Sequence, residues 1–206
     1  MNLLQKIDQQ RKTLDNALKD LHNIILQEPN TENAVQELIN YVKDCSISQG
    51  SETLYFAGIG KNDSVAYKTA NMFRSLQFAS HKICPVHAVH GDMGMMRGSD
   101  IVVAISKSGN TSELILFLDY VKRTMPNVKI FGIQIGNAPS KFDEVCRHVI
   151  KLPSIDENNE VNAPTNSIIL TQIFLDLIAT EAANLGVDEF KTSHPGGSLG
   201  AGRINQ

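Results

Sequence analysis

Leu4, Ile7, Leu14, Leu18, Leu21 and Ile25 recur at steps of three, four and seven, with Arg11 where another apolar residue would fall. This spacing predicts a helix over 4–25 with one apolar stripe. Pro29 and Asn30 end it, and Thr31 caps a second helix that carries Ala34, Val35, Leu38, Ile39 and Val42 on one side before fading into polar SISQGSE. The pattern then changes. A short apolar run at 54–57 feeds GIGKND, and 64–78 returns to helical spacing through Val65, Thr69, Met72, Phe73 and Leu76. The same unit repeats as a strand at 101–105 (IVVAI), a loop SKSGNTS, a helix from 112 to about 124 and a strand at 128–135. A shorter strand at 148–152 precedes polar DENNEVN, then an apolar helix from Pro164 to Leu185 with the proline in its first turn. The tail from Gly186 reads mostly as loop. Consecutive strand–loop–helix units predict an α/β fold on a parallel sheet.

The 206 residues suit one α/β-sized domain with some decoration. Apolar residues at 42%, with 14 glycines, exclude disordered and collagen-like classes. A net charge of -3, from 19 basic and 22 acidic residues, gives no broad field for nucleic acid or anionic lipid, so an anionic ligand has to be held locally. Cys45, Cys84 and Cys146 are odd in number and lack CxxC spacing, which fits a reducing cytoplasm better than a disulfide framework. MNLLQKIDQQRK meets charge at Lys6, and no apolar run reaches the length of a membrane span, so neither a signal peptide nor membrane insertion is expected.

Parallel sheets place ligands at the carboxyl ends of their strands, which makes GIGKND and SKSGNTSE the first candidate loops. In the second, Ser106, Ser108 and Thr111 offer three hydroxyls, Gly109 permits close backbone approach, and the following helix N-terminus supplies amide donors and the positive end of a dipole. That set suits a phosphate monoester. A plain turn with Asn110 and Glu113 as a capping pair is the other reading of the same residues. In the first loop, Lys61 opposes the dipole of the helix it opens, a frustration that an anion relieves. Asp63 occupies the third-glycine position of a dinucleotide fingerprint, and Tyr55 and Asn62 break a Walker A pattern, so no nucleotide cofactor is expected.

Cys84, His87 and His90 fall at three-residue intervals and form a ligand set for a soft divalent metal only if the loop curls. His90, before Gly91 and Asp92, is equally an acid–base candidate or a surface histidine bonded to backbone. His22, His81 and His148 read as structural. His194 differs, because SHPGG fixes it before a proline and two glycines.

Together GIGK (58–61), HGDMGM (90–95), ISKSGNTSE (105–113), APT (163–165) and SHPGGSLG (193–200) resemble the sugar isomerase (SIS) domain family over nearly the whole chain. SxSGxTxE is common to SIS phosphosugar binders, regulators included. HGDxGM with SHPGGxLG is narrower and resembles the branch that interconverts D-ribulose 5-phosphate and D-arabinose 5-phosphate, the first step toward the eight-carbon acid sugar Kdo of lipopolysaccharide or capsule. The resemblance implies a three-layer α-β-α sandwich on a five-stranded parallel sheet, with N-terminal helices (1–48) added to an isomerase domain (49–206). It also implies cofactor-free, metal-free isomerisation through a cis-enediol. Phosphate and sugar binding fall to Ser106, Lys107, Ser108, Gly109, Thr111 and Ser112, with Gly60 and Asn62 across from them. The implied catalytic set is Glu113 as base, Lys61 as electrostatic stabiliser, and His90 and His194 for ring opening and oxygen protonation. The family's second glutamate, seven residues before APT, falls at Asp156, with Glu157 and Glu160 beside it. Asn62 and Asp63 replace the family's small pair after the lysine. Its C-terminal histidine can enter a neighbouring subunit's site, which implies a homotetramer. Familiar members continue past HPGGxLG into paired CBS domains; this sequence stops at Gln206, so the single-domain form is the expectation. Two alternatives stay open: a sensing module that needs Ser106, Ser108 and Thr111 but not Glu113 or His194, and an isomerase for a hexulose or heptulose phosphate.

Overall fold

The computed structural model describes residues 2–48 and 50–196. Two helices open the chain, α1 (Leu3–Gln27) and α2 (Pro29–Lys43). Asn2 and Gln5 form a reciprocal capping box at the start of α1. Pro29 starts α2 instead of only ending α1, displacing Thr31 from the expected cap. The physical reason is that proline lacks the N–H that a first-turn position leaves unpaired. The α1 stripe is buried only from Ala17 and Leu21; Leu3, Leu4 and Ile7 stay exposed.

The sheet comprises β1 (Leu54–Gly58), β2 (Ser80–Ile83), β3 (Ile101–Ser106), β4 (Lys129–Ile135) and β5 (His148–Leu152), all parallel, in the order β2-β1-β3-β4-β5. It is joined by α3 (Lys61–Ser75), α4 (Pro85–Ala88), α5 (Ser112–Thr124), α6 (Phe142–Val145) and α7 (Asn166–Ala182). Strand residues alternate between two cores. Leu54, Phe56, Ile101, Val103 and Ile105 pack under α1, α2, α3 and α7, while Tyr55, Ala57, Val102, Ala104 and Ile130 pack against Leu114, Phe117, Leu118 and Val121 of α5. The expected three-layer sandwich on a five-stranded parallel sheet is the observed architecture, and the central strands read as unbroken apolar runs because both their faces are covered.

Other boundaries moved. The helix expected from Pro164 to Leu185 is α7, which begins after Thr165 and ends at Ala182. The tail read as loop contains α8 (Val187–Thr192), whose N-terminus is closed by the Glu189 carboxylate accepting from the Gly186 N–H at 2.9 Å. Residues 197–206, which hold the rest of the glycine-rich segment and the expected end of the domain, lie outside the described residues. Among those described, no helix is long and apolar enough to cross a membrane.

Candidate active site

Strand order reverses between β1 and β3, so the loops leaving these neighbours diverge to opposite faces and open a crevice at the carboxyl edge. GIGK and SKSGNTS are the loops that leave them. Gly58 and Gly60 are required locally. A Cβ on Gly58 would collide with Asn62 backbone, and Gly60 caps α3 with φ +63. This tight turn makes Lys61 the first residue of α3, at its positive end. Asp63, in the same first turn, pairs with Lys82 of β2 at 2.8 Å, which neutralises the acid that stands where the family has a small residue.

The second loop forms a compact cradle. Ser106 is buried at the end of β3; its Oγ lies 3.1 Å from Thr111 Oγ1 and accepts from the Gly109 N–H at 3.1 Å. Ser108 Oγ accepts from the Asn110 N–H at 3.2 Å. The alternative capping pair does not form, because Asn110 Oδ1 accepts from the Lys141 N–H and Glu113 accepts from its neighbour Ser112 Oγ at 2.8 Å. Among the described residues no side chain caps α5, so its first-turn amides have no side-chain acceptor beside the loop that carries the hydroxyls of Ser106, Ser108 and Thr111, an arrangement that suits an anion.

Gly109 has φ +67, and a Cβ there would land on Ser140 Oγ and Gln134 Oε1. Those two groups are already bonded at 2.6 Å, and Gln134 Nε2 donates to the Ala138 carbonyl at 2.7 Å. Gln134 thus braces the cradle from β4, a role its place in an apolar strand did not announce. Gly109→Ala is expected to destabilise the protein by about 1–3 kcal/mol through backbone strain and this clash. A denaturant midpoint equal to that of the parent would contradict the brace.

Glu113 sits in the first turn of α5, fully exposed. Its own backbone N–H, and then the Ser112 hydroxyl, hold its pKa below the ordinary carboxylate value, so it stands ionised and able to accept a proton. Lys107 reaches from the cradle to Glu157, with Nζ and Oε1 2.6 Å apart. Glu157 is buried, and its other oxygen accepts from the Thr165 N–H at 2.7 Å and the Ser167 N–H at 3.1 Å at the start of α7. Burial pushes its pKa up, but the Lys107 ammonium and the donors of Ser167 and Thr165 outweigh that and hold it at about 2.

Asp156 is exposed and turns back to accept from the Asn158 N–H at 2.7 Å, while Glu157 points inward. The inward residue is the one with bonding partners on α7. His90 is exposed beyond α4, and its backbone N–H donates to the His87 carbonyl at 2.9 Å. Among the described residues no three His, Cys, Asp or Glu side chains converge as a metal set, and Cys84, His87 and His90 do not meet.

His194 lies at the opposite edge of the sheet. Its Nδ1 is 2.9 Å from the Phe190 carbonyl, and its ring rests 4.2 Å from that of Phe190. α8 in turn is hydrogen-bonded to Gln77, which shortly precedes β2 at the amino edge. The two neighbouring loops therefore put Gly60, Lys61, Asn62, Ser106, Lys107, Ser108, Gly109, Thr111, Ser112 and Glu113 at the carboxyl edge of adjacent strands, whereas His194 is tied through α8 to Gln77 near the amino edge. Beside Lys61 a cleft of about 500 Å³ opens between the starts of α3 and α7, walled by Val65, Ile168, Ile169 and Ile173.

A doubly wound sheet with a hydroxyl-rich loop at its switch point defines a class of α/β proteins that bind ligands at that edge. The chain belongs to the SIS domain family, whose model matches residues 47–181. Among curated relatives it is 32% identical over 166 residues to arabinose 5-phosphate isomerase KdsD of Pseudomonas aeruginosa, covering 78% of this chain and 50% of that one. It is 34% identical over 149 residues to arabinose 5-phosphate isomerase KdsD of Salmonella typhimurium, covering 69% of this chain and 44% of that one. The chain spans about half the length of the curated relatives it matches. Among solved structures, an E. coli CFT073 protein in complex with arabinose 5-phosphate aligns with a TM-score of 0.74 and 25% identity, covering 95% of this chain and all of that one.

Proposed function

We propose that the chain is an aldose–ketose isomerase that interconverts D-ribulose 5-phosphate and D-arabinose 5-phosphate, on the route to Kdo. The observation that carries this reading is the cradle of Ser106 and Thr111 at the α5 N-terminus, followed within the same turn by an ionised Glu113. A phosphate held by the cradle hydroxyls and amides anchors one end of a short sugar and fixes its other end relative to that carboxylate. The two relatives named above support the pentose phosphate as substrate.

The chemistry requires a proton to leave C1 of the ketose and return to C2. Glu113 accepts the C1 proton as the electron pair moves into the C1–C2 bond and charge develops on the C2 oxygen. Lys61 stabilises that oxyanion, an acid protonates it to the cis-enediol, and in the return step the conjugate base of that acid takes the O1 proton as the C1 carbonyl forms and Glu113 delivers its proton to C2. Lys107 stays beside the phosphate position as a cation fixed by Glu157, which takes over the acidic position assigned to Asp156.

His194, tied through α8 to the amino edge, is assigned to the crevice of a neighbouring copy, the role that the family resemblance implies. His90 stays a candidate for ring opening. The apolar cleft beside Lys61 and the exposed Leu3, Leu4 and Ile7 of the N-terminal helices are surfaces for such copies, in keeping with a homotetramer. Purified protein given ribulose 5-phosphate without added metal is expected to form arabinose 5-phosphate. Binding without turnover favours a sensing module instead, and turnover confined to hexulose or heptulose phosphates reassigns the substrate.

A further inference from the structure

Gln77 has φ +64, one of three non-glycine residues with positive φ among those described. This conformation costs an L-residue about 1 kcal/mol or more and persists where surrounding structure requires it. It occurs in the turn between α3 and β2, where the Gln77 N–H bonds the Arg74 carbonyl at 3.0 Å and its own carbonyl accepts from the Ile47 N–H at 2.9 Å. The strained backbone aims the side chain across the surface to α8. Gln77 Nε2 donates to the Glu189 carbonyl and to Ser193 Oγ, both at 3.2 Å, more than 110 residues further along the chain. α8 has no buried residue of its own. Among the described residues, Gln77 is the one side chain outside the segment that hydrogen-bonds to it. The residue following its second contact is His194, which is fixed to the same short helix through the Phe190 carbonyl and ring.

We infer that Gln77 is a positioning residue: its amide clasps α8 and so sets where His194 is presented to the crevice of a neighbouring copy. This rests on the isomerase reading and on the role given there to His194. A helix without buried side chains gains little from apolar burial, so its orientation depends on the few directed bonds it makes. An amide that donates twice from a fixed backbone supplies such bonds with only its own side-chain torsions left to restrict.

The test is a double-mutant cycle in the full-length chain between Gln77→Gly and His194→Ala, read in both directions of the isomerisation. Glycine adopts φ +64 without strain, so the substitution removes the amide while sparing the turn. Gln77→Glu, of the same shape but without donors, is the second variant. Both are expected to lower kcat roughly 10-fold with KM nearly unchanged, in line with the cost of a misplaced catalytic group. The effect is expected to vanish in the His194→Ala background, because both changes act on one unit. Unchanged kcat in both Gln77 variants, or full additivity with His194→Ala, overturns the inference while leaving the isomerase reading standing. No loss on His194→Ala removes the role of His194 and the inference with it. If the parent protein itself turns over no ketose phosphate, the isomerase reading fails separately. Amide exchange over residues 187–194 then decides the clasp: faster exchange in Gln77→Gly supports it, and unchanged exchange refutes it.

Discussion

Glu113→Gln is expected to lower kcat on ribulose 5-phosphate by about 10²–10⁴-fold, the usual worth of a positioned general base, with KM close to that of the parent. The substitution keeps the length of the side chain and removes only its ability to hold a proton. Glu113 belongs to the first turn of α5 but makes no contact with the core, so the fold should survive intact. The pH dependence follows from the same group. Its folded pKa is depressed below 4.5, so the basic form is present at neutral pH and is lost only as pH falls through the lowered value. The acid limb of kcat/KM, which reports the free protein, therefore lies below the ordinary carboxylate range, and Ser112→Ala shifts it upward by removing one of the two bonds that favour the carboxylate. Parental turnover in Glu113→Gln would remove Glu113 as the base.

The second large effect is on stability. Glu157→Gln is expected to cost about 2–4 kcal/mol, because a neutral amide cannot both neutralise Lys107 and accept charge-assisted bonds from Thr165 and Ser167. For a chain of this size that lowers the unfolding midpoint by roughly 5–10 °C, readable by scanning calorimetry. The parent protein should show the matching acid sensitivity. A glutamate at about 2 in the folded state against 4.5 in the open chain contributes stability that is fully present above 4.5 and is lost as pH falls toward 2. The total is on the order of 3 kcal/mol. Loss of less than about 1 kcal/mol in the variant would mean that Glu157 is a spectator. Asp156→Asn, one residue earlier and exposed, is the contrasting control and should leave the midpoint nearly unchanged.

Which of these residues the sequence revealed depends on how local their determinants are. The cradle was legible because Ser106, Ser108, Gly109 and Thr111 lie within six residues and follow IVVAI, a run that reads as a strand covered on both faces. The turn at Gly58 and Gly60, with Lys61 opening α3, was legible for the same reason. Asp156 and Glu157 were not separable by inspection. Two adjacent acids in a polar loop differ only in which one the chain turns inward, and that is decided by where Thr165 and Ser167 stand at the start of α7. The start of α2 was misplaced because Pro29 was read as a stop although it equally suits a first turn. Gln77 and Gln134 gave no signal at all, since a glutamine before a strand or inside one acquires meaning only from a distant carbonyl or hydroxyl.

The bond between Lys107 and Glu157 spans 50 residues, whereas the hydroxyl cradle spans five. The two parts of the site therefore belong to different stages of folding. The cradle is able to form once β3, α5 and its bracing strand β4 dock, but the tie to Glu157 closes a loop that also contains α6 and β5, each parallel strand added by its own crossover. In a refolding experiment, phosphate-competent protein should appear before acid-resistant protein does, and the delay between the two measures the time β5 and the start of α7 take to arrive.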